Sequence, residues 1–153
     1  MFKQLKIKDQ KGFTLIELLV VIGILAILLA VTLIAINPNK HFQDARNAQR
    51  QSNVAAILDA IYEYESAHNG NIPPSLTGVT TVKELGGGTG QINTCSDLVP
   101  TYLANLPMDP STSIGTACNV GYDTGYTITV TSGRFTVAAP STEGGGTTIS
   151  VTR

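Results

Sequence analysis

The feature that most constrains this chain is an apolar stretch near its N-terminus, residues 13–36. It consists of Leu, Ile, Val, Ala and Phe, interrupted only by Thr14, Glu17, Gly23 and Thr32. As an α-helix at about 1.5 Å per residue it would be about 36 Å long, more than the roughly 30 Å hydrocarbon core of a membrane. Because backbone polar groups in lipid must be paired within the segment, we predict a membrane-spanning helix.

Charged side chains are divided unevenly by this apolar stretch. The first twelve residues contain four lysines and one acid: Lys3, Lys6, Lys8, Lys11 and Asp9. The rest of the chain keeps six of the ten basic and ten of the eleven acidic side chains, a formal charge of −4. Since basic flanks stay on the cytoplasmic side, we expect the N-terminus inside and the acidic remainder outside. No basic patch indicates a nucleic-acid partner, and none is expected.

A polar break, Asn37-Pro38-Asn39, follows the apolar stretch. Proline removes one helical hydrogen bond, so Pro38 either kinks a continuous helix or begins a second helix capped by Asn37. Beyond it, apolar residues recur mostly with gaps of three and four, which predicts an amphipathic helix over 38–70 that stops at Asn69-Gly70. The apolar stripe of this helix consists of Val54, Ile57, Leu58, Ile61, Tyr62 and Tyr64.

The remainder of the chain, residues 71–153, predicts a loop followed by strands. Residues 72–94 contain several glycines and prolines and indicate a loop. Apolar residues then alternate with threonine over 126–131, and the alternation resumes after the two-residue turn Ser132-Gly133, which predicts a β-hairpin. Residues 148–152 predict a third strand at the edge of the sheet.

The junction at the start of the apolar stretch is the most informative motif. It reads Gly12-Phe13-Thr14-Leu15-Ile16-Glu17 and follows Lys11 directly. An ordinary secretory signal is cleaved after its apolar core, and that core is lost. Here the small residue precedes the apolar core. A cut between Gly12 and Phe13 would therefore remove only a basic leader and leave the helix attached to the product.

This junction, with its basic leader and apolar run, resembles the type IV pilin and pseudopilin family over roughly the first 60 residues. The resemblance implies that a prepilin peptidase cuts after Gly12 and methylates Phe13, and that Glu17 is required for assembly. It also implies an α+β fold, in which a long N-terminal helix packs its amphipathic second half on a small C-terminal antiparallel β-sheet. The expected domains are a basic leader (1–12), a transmembrane and filament-core helix (13–37), an amphipathic helix (38–70) and an extracytoplasmic loop and sheet region (71–153).

The same resemblance implies partners, location and function. The partners would be the prepilin peptidase, identical or related pilin subunits, an inner-membrane assembly platform and the membrane. The precursor would cross the bacterial cytoplasmic membrane once, and the product would enter an extracytoplasmic filament. We expect a pilin-like structural subunit of a type IV pilus-like filament. The alternatives are a major pseudopilin of a type II secretion system and a membrane-anchored binding module that never polymerises.

Glu17 can be interpreted on physical grounds as well. A carboxylate at the centre of a membrane helix costs about 2.5–3.5 kcal/mol on insertion scales, and less toward an end. Glu17 could lie shallow enough to reach lipid headgroups and have no further role. The alternative is that Glu17 neutralises the free amine of Phe13 on a neighbouring subunit and so sets the stagger of bundled helices. The second reading also accounts for the Gly12-Phe13 junction.

Cys95 and Cys118 are the only cysteines, and both lie in the part predicted to be exported. Two thiolates are too few ligands for a zinc site. An oxidising compartment favours a disulfide between them over two free thiols.

A calcium site is a further hypothesis, from the segment Leu106-Pro107-Met108-Asp109-Pro110. This segment resembles the Pro-x-Asp-Pro segment of major pseudopilins, whose nearby loops bind calcium. Asp109 and Asp123 could contribute oxygens, but calcium needs six or more, and the tryptophan and the dense acidic loop of that family are absent. A turn-capping role for Asp109 is the alternative.

Catalysis is not expected. His41 and His68 each have one acid three residues away, Asp44 and Glu65, but no third ligand nearby for zinc. No Gly-x-Ser-x-Gly turn marks a nucleophile. Apart from the calcium hypothesis, we expect no cofactor.

Overall fold

The computed structural model describes residues 12–153, and the predicted leader up to Lys11 lies outside the described residues. The chain divides into two compact units, one that ends at Pro38 and one that spans Asn39–Arg153. The arrangement is the predicted α+β one, a long N-terminal helical segment followed by a small antiparallel sheet. The elements are α1 (Leu15–Ile36), α2 (Pro38–Ala67), a 3₁₀ helix (Pro74–Leu76), β1 (Lys83–Gly86), α3 (Cys95–Leu98), β2 (Asp123–Thr131), β3 (Arg134–Ala139) and β4 (Ile149–Thr152).

The helical segment is interrupted at the predicted break. α1 contains 22 residues and is followed by Asn37, whose φ of 44° and ψ of 72° are the left-handed values that asparagine tolerates better than most residues. α2 begins at Pro38, a first helical position where the missing N–H costs no hydrogen bond. Pro38 therefore begins a second helix, which is one of its two predicted roles. The prediction that Asn37 caps this second helix was wrong, because its left-handed backbone makes it the C-terminal cap of α1.

α2 buries the predicted apolar stripe in the core of its unit. Tyr62 packs edge-to-face against Phe135 of β3, with 5.8 Å between the ring centroids. The helix ends at Ala67, three residues before the predicted boundary, and the amide of Gly70 donates to the carbonyl of Glu65 at 2.8 Å. The stripe residues without any exposed surface are Val54, Ile57, Leu58 and Ile61.

The sheet has four antiparallel strands in the order β1-β2-β3-β4. β2 and β3 form the predicted hairpin, in which Thr131 pairs with Arg134 and the two turn residues, Ser132 and Gly133, have φ values of 51° and 75°. Positive φ at both positions fits the right-handed twist of the strands that the turn connects. The predicted edge strand is also confirmed as β4, which begins at Ile149.

The prediction of a loop over residues 72–94 was wrong for part of that range. Lys83–Gly86 forms β1, whose Lys83 and Glu84 pair with Ile128 and Thr127 of β2. The sequence Lys-Glu-Leu-Gly lacks the β-branched and aromatic residues that are typical of strands. What holds the strand is its pairing with β2 and the complete burial of Leu85.

The unit Asn39–Arg153 contains two apolar clusters. The larger one lies between α2 and the sheet. The smaller one lies in and beside the segment between the two cysteines. From the sheet, the 3₁₀ helix and α3, the larger cluster includes Leu76, Leu85, Leu98, Tyr126, Ile128, Phe135, Val137 and Ala139. The smaller consists of Cys95, Leu106, Ala117 and Tyr122.

Candidate functional site

The junction predicted to be cleaved precedes the first helix and lies outside regular structure. Gly12, Phe13 and Thr14 belong to no helix or strand and are exposed, and Phe13 retains 82% of its accessible surface. A Cβ added at Gly12 would have no atom within 4 Å. The peptide bond between Gly12 and Phe13 is therefore uncovered by the rest of the described chain.

Glu17 forms a capping box with Thr14 at the start of α1. One carboxylate oxygen, Oε2, accepts hydrogen bonds from the amide and the hydroxyl of Thr14, both at 2.8 Å. In return, the amide of Glu17 donates to the Thr14 hydroxyl at 3.3 Å. The reciprocal bonds pair backbone groups that every helix leaves free at its N-terminus. Glu17 thus has a local partner within its own subunit.

The rest of α1 carries no other ionisable side chain and buries no residue. Among the described residues, the helical stretch Leu15–Ala67 is the one long and apolar enough to cross a membrane, and its apolar window is wholly unburied. An aliphatic surface of this size is stable only if lipid or other apolar helices cover it. Glu17 is therefore a single carboxylate on a surface that requires an apolar partner.

Within the second unit, three charged side chains gather around Arg50 of α2. Arg50 has no exposed surface, and Asp109, which is 2% exposed, faces it. The Nε of Arg50 donates to Asp109 Oδ2 at 2.7 Å, and Nη2 donates to Oδ1 at 3.2 Å. Asp109 Oδ1 also accepts the backbone amides of Ser111 and Thr112, both at 2.9 Å. Asp109 therefore caps a turn, which is one of the two roles predicted for it from the sequence. Its ion pair with Arg50 also fixes that turn to α2.

Glu143 extends the ion pair to the loop between β3 and β4. Its carboxylate accepts from Nη2 of Arg50 at 3.1 Å and from the guanidinium of Arg46, with 2.8 Å between Arg46 Nε and Oε1. The backbone of Glu143 is held as well, because its amide and carbonyl bind the side chain of Asn47. We call Arg46, Arg50, Asp109 and Glu143 the ion cluster. It joins α2 to two segments distant in the sequence.

The ion cluster lowers the pKa of both acids. Burial alone would raise the pKa of Asp109, but Arg50 and the amides of Ser111 and Thr112 outweigh it and hold that pKa at about 2, against 3.8 ordinarily. Hydrogen bonds from Arg46, and then from Arg50, lower the pKa of Glu143 from 4.5 to about 2. Both acids thus stay ionised well into the acidic range.

These lowered pKa values predict an acid-dependent loss of stability. A carboxylate whose pKa is lower in the folded state stabilises that state fully above its unfolded pKa, and the contribution is lost as the pH falls through its folded pKa. For the unit Asn39–Arg153 we expect the free energy of unfolding in urea to drop between about pH 4.5 and pH 2. The Glu143→Gln variant should show a shallower drop than the wild type. Equal slopes for the two proteins would contradict the role of Glu143.

Asp123, the second residue of the calcium hypothesis, accepts the amide of Gly125 at 2.8 Å. Both oxygens of Asp109 accept hydrogen bonds from Arg50, and Oδ1 also accepts those of its own turn. Asp109 could join a calcium site only by giving up Arg50. Residues 12–153 contain no group of three or more His, Cys, Asp or Glu side chains placed to hold a metal ion. Calcium binding stays a prediction.

Cys95 and Cys118 form a disulfide, with 5.6 Å between their Cα atoms. The phenol of Tyr122, which is completely buried, lies 3.1 Å from the sulfur of Cys95 and donates to Asn93 at 3.0 Å. The enclosed loop contains Asp109. The disulfide and the Arg50 ion pair therefore constrain the same loop.

Removing the disulfide should destabilise the unit Asn39–Arg153. Chain-entropy models give about 3 kcal/mol for a loop of this length. We expect Cys95→Ser/Cys118→Ser to lower the free energy of unfolding in urea by about that amount. Reductant should lower the stability of the wild type and leave the double variant unchanged. Two thiols that react with a maleimide in unreduced, unfolded wild type would contradict the disulfide.

The ion cluster was not predicted from the sequence, although one signal was available. Arg50 lies four residues before Val54 and seven before Ile57, so it continues the apolar stripe of α2. A charged residue at a stripe position must be buried with a partner or must interrupt the stripe. No comparable signal identified Glu143, which lies 93 residues from Arg50.

Comparison with known proteins gives one match. Residues 7–33 match the family model described as the prokaryotic N-terminal methylation motif, which is the hallmark of type IV pilin and pseudopilin precursors. The matched range contains Gly12, Phe13 and Glu17 and ends within α1. No curated protein and no solved structure matches the chain.

Proposed function

We propose that this chain is a structural subunit of a filament. It carries the motif of prepilin-type substrates of type IV pilus or type II secretion systems. A prepilin peptidase cuts between Gly12 and Phe13 and methylates the new N-terminus. The mature subunit then leaves the membrane and enters a type IV pilus-like filament. Its role is architectural, and we propose neither catalytic activity nor a required cofactor.

One observation carries this proposal: the methylation motif overlaps a helix whose surface is uncovered and apolar apart from Glu17 and Thr32. Lipid covers such a surface in the precursor, and the same surface can pack against identical helices in a filament. We propose that Glu17 exchanges Thr14 for the amine of Phe13 on a neighbouring subunit. The exchange neutralises both charges as the helices bundle and sets their axial offset.

A major pseudopilin of a type II secretion system is the second candidate. It is favoured by the segment Leu106–Pro110, which resembles the Pro-x-Asp-Pro segment of those proteins. In this chain the aspartate of that segment, Asp109, fastens its loop to α2 through Arg50. The neighbouring genes would distinguish the two candidate functions. Secretion ATPase and secretin genes would support a pseudopilin, and retraction ATPase genes would support a pilus subunit.

The proposed partners follow from this function. They are the prepilin peptidase, which the motif implies, together with identical or related subunits and an inner-membrane assembly platform. The precursor is anchored in the cytoplasmic membrane with its N-terminus inside, and the filament extends on the other side. The alternative from another functional class is a membrane-anchored binding module that keeps its leader.

Processing is the most direct test of the proposal. In a host that contains its prepilin peptidase, we expect mass spectrometry of the membrane-extracted protein to find a mature N-terminus at Phe13 carrying one methyl group. The Gly12→Leu variant should keep its leader, because a bulky side chain replaces the small residue at the cleavage position. An intact wild-type leader, or a cut beyond Ile36, would contradict the assignment.

A further inference from the structure

The first turn of α2 presents an aromatic side chain that the core does not use. Phe42 is 62% exposed. The residues that follow it on the adjacent side of the helix face protein: Gln43 lies beside Gly144, and Arg46 binds Glu143. Phe42 itself lies on the uncovered side, and Lys40 and His41 beside it are also exposed.

The position of this turn along the chain limits how far it can be from the membrane. Phe42 follows the last residue of α1, Ile36, by six residues, and the last four of these steps are helical. Two extended steps of about 3.6 Å and four helical steps of about 1.5 Å place Phe42 within about 13 Å of the end of α1. The headgroup region adds about 5–7 Å to each side of the hydrocarbon core. A phenylalanine or lysine side chain can bridge the difference.

The chemistry of the turn matches the headgroup region. Helices that lie at the boundary between hydrocarbon and headgroups bury phenylalanine and leucine side chains there, and a lysine can rest its methylenes on apolar surface while its ammonium pairs with lipid phosphate. The first turn of α2 contains no acidic residue, and the first acid after Glu17 is Asp44. A basic residue beside an exposed ring is attracted to an anionic membrane surface.

We propose that Lys40, His41 and Phe42 form a lipid-headgroup contact that prefers anionic phospholipid and holds the first turn of α2 at the outer surface of the membrane before assembly. The contact rests on the proposed function in one respect, since α1 must span the membrane. To enter a filament, α1 must then leave the hydrocarbon, and this turn must also leave the headgroups.

The chain contains no tryptophan, so single-tryptophan variants report on one position each. The full-length protein is reconstituted into vesicles of phosphatidylcholine and phosphatidylglycerol whose acyl chains carry bromine close to the headgroup. We expect bromine to quench the fluorescence of the Phe42→Trp variant. The Ile34→Trp variant reports on the last turn of α1, about 3 Å before the end of the helix, and should be quenched by the same bromine close to the headgroup. The Val120→Trp variant, at a fully exposed position two residues after Cys118, should not be quenched.

The three positions separate failure of this inference from failure of the proposed function. No quenching in Ile34→Trp would mean that α1 does not enter the bilayer, which would overturn both. Quenching in Ile34→Trp but not in Phe42→Trp would overturn the headgroup contact alone. A blue-shifted but unquenched Phe42→Trp would mean that a second copy of the chain covers this position, and would also overturn it.

The preference for anionic lipid has its own control. In the Phe42→Trp background, Lys40→Gln/His41→Gln should lose quenching in vesicles with phosphatidylglycerol and change little in phosphatidylcholine alone. Lys83→Gln removes an exposed lysine from β1 and should leave quenching unchanged in both. Equal quenching of the Lys40→Gln/His41→Gln variant and its parent in phosphatidylglycerol would overturn the proposed role of Lys40 and His41.

Discussion

The Glu17→Ala variant is expected to form few or no filaments while it is still inserted into the membrane and cleaved. Insertion should become easier, because alanine is more apolar than glutamate at every depth in the membrane. What is lost is the one acidic partner on α1 for the amine of Phe13. An amine left unpaired in a low-dielectric helix bundle costs several kcal/mol in each subunit, of the order measured when one partner of a buried ion pair is removed.

The capping box requires a second variant, because Glu17→Ala also removes the hydrogen bonds to Thr14. Glutamine can accept the same hydrogen bonds at this position of a capping box but carries no charge. If charge pairing between subunits drives assembly, Glu17→Gln should lose filaments as Glu17→Ala does. If the cap alone matters, Glu17→Gln should assemble normally.

Electron microscopy of sheared fractions, with immunoblotting of membranes for cleaved subunit, separates assembly from processing. Thr32→Ala is a matched control within α1, since the Thr32 hydroxyl donates only to the carbonyl of Leu29 three residues earlier, at 2.9 Å. We expect normal filaments from that variant. Normal filaments from Glu17→Ala would leave apolar packing as the sole determinant of the stagger.

The second large effect concerns the stability of the unit Asn39–Arg153. Replacing Asp109 by alanine should lower the free energy of unfolding by about 3–5 kcal/mol, the usual cost of leaving one charge of a buried pair without its partner. Arg50 has no exposed surface, so it cannot recover its hydration in the folded state. Glu143 remains beside Arg50 and should keep the loss near the lower end of that range.

Urea denaturation of this unit measures the effect, and two comparisons interpret it. Arg50→Met/Asp109→Leu removes both charges and should cost less than the sum of the two single changes, because no unpaired charge remains. Asp59→Asn breaks an exposed ion pair with Arg153 and should change the free energy of unfolding by about 0–1 kcal/mol. A loss for Asp109→Ala as small as that for Asp59→Asn would contradict a buried, interdependent pair.

Several elements could be predicted from the sequence because a local rule specifies each of them. The length and composition of residues 13–36 suffice to predict a helix long and apolar enough to cross a membrane, and the family match at residues 7–33 agrees with the junction motif. The hairpin follows from alternation and from Ser132-Gly133, since these two residues adopt the positive φ that a two-residue turn requires. In these cases the residues that decide the structure are neighbours in the chain.

Only the tertiary structure decided which polar residues are buried and which short segments become strands. Arg50 and Asp109 are 59 residues apart, and neither residue type is buried without a partner that only folding supplies. β1 lies in a sequence with weak strand propensity and exists through its pairing with β2, more than 35 residues later. A buried charge and a short edge strand depend on partners that are brought near by the packing of the whole unit, so no local pattern specifies them.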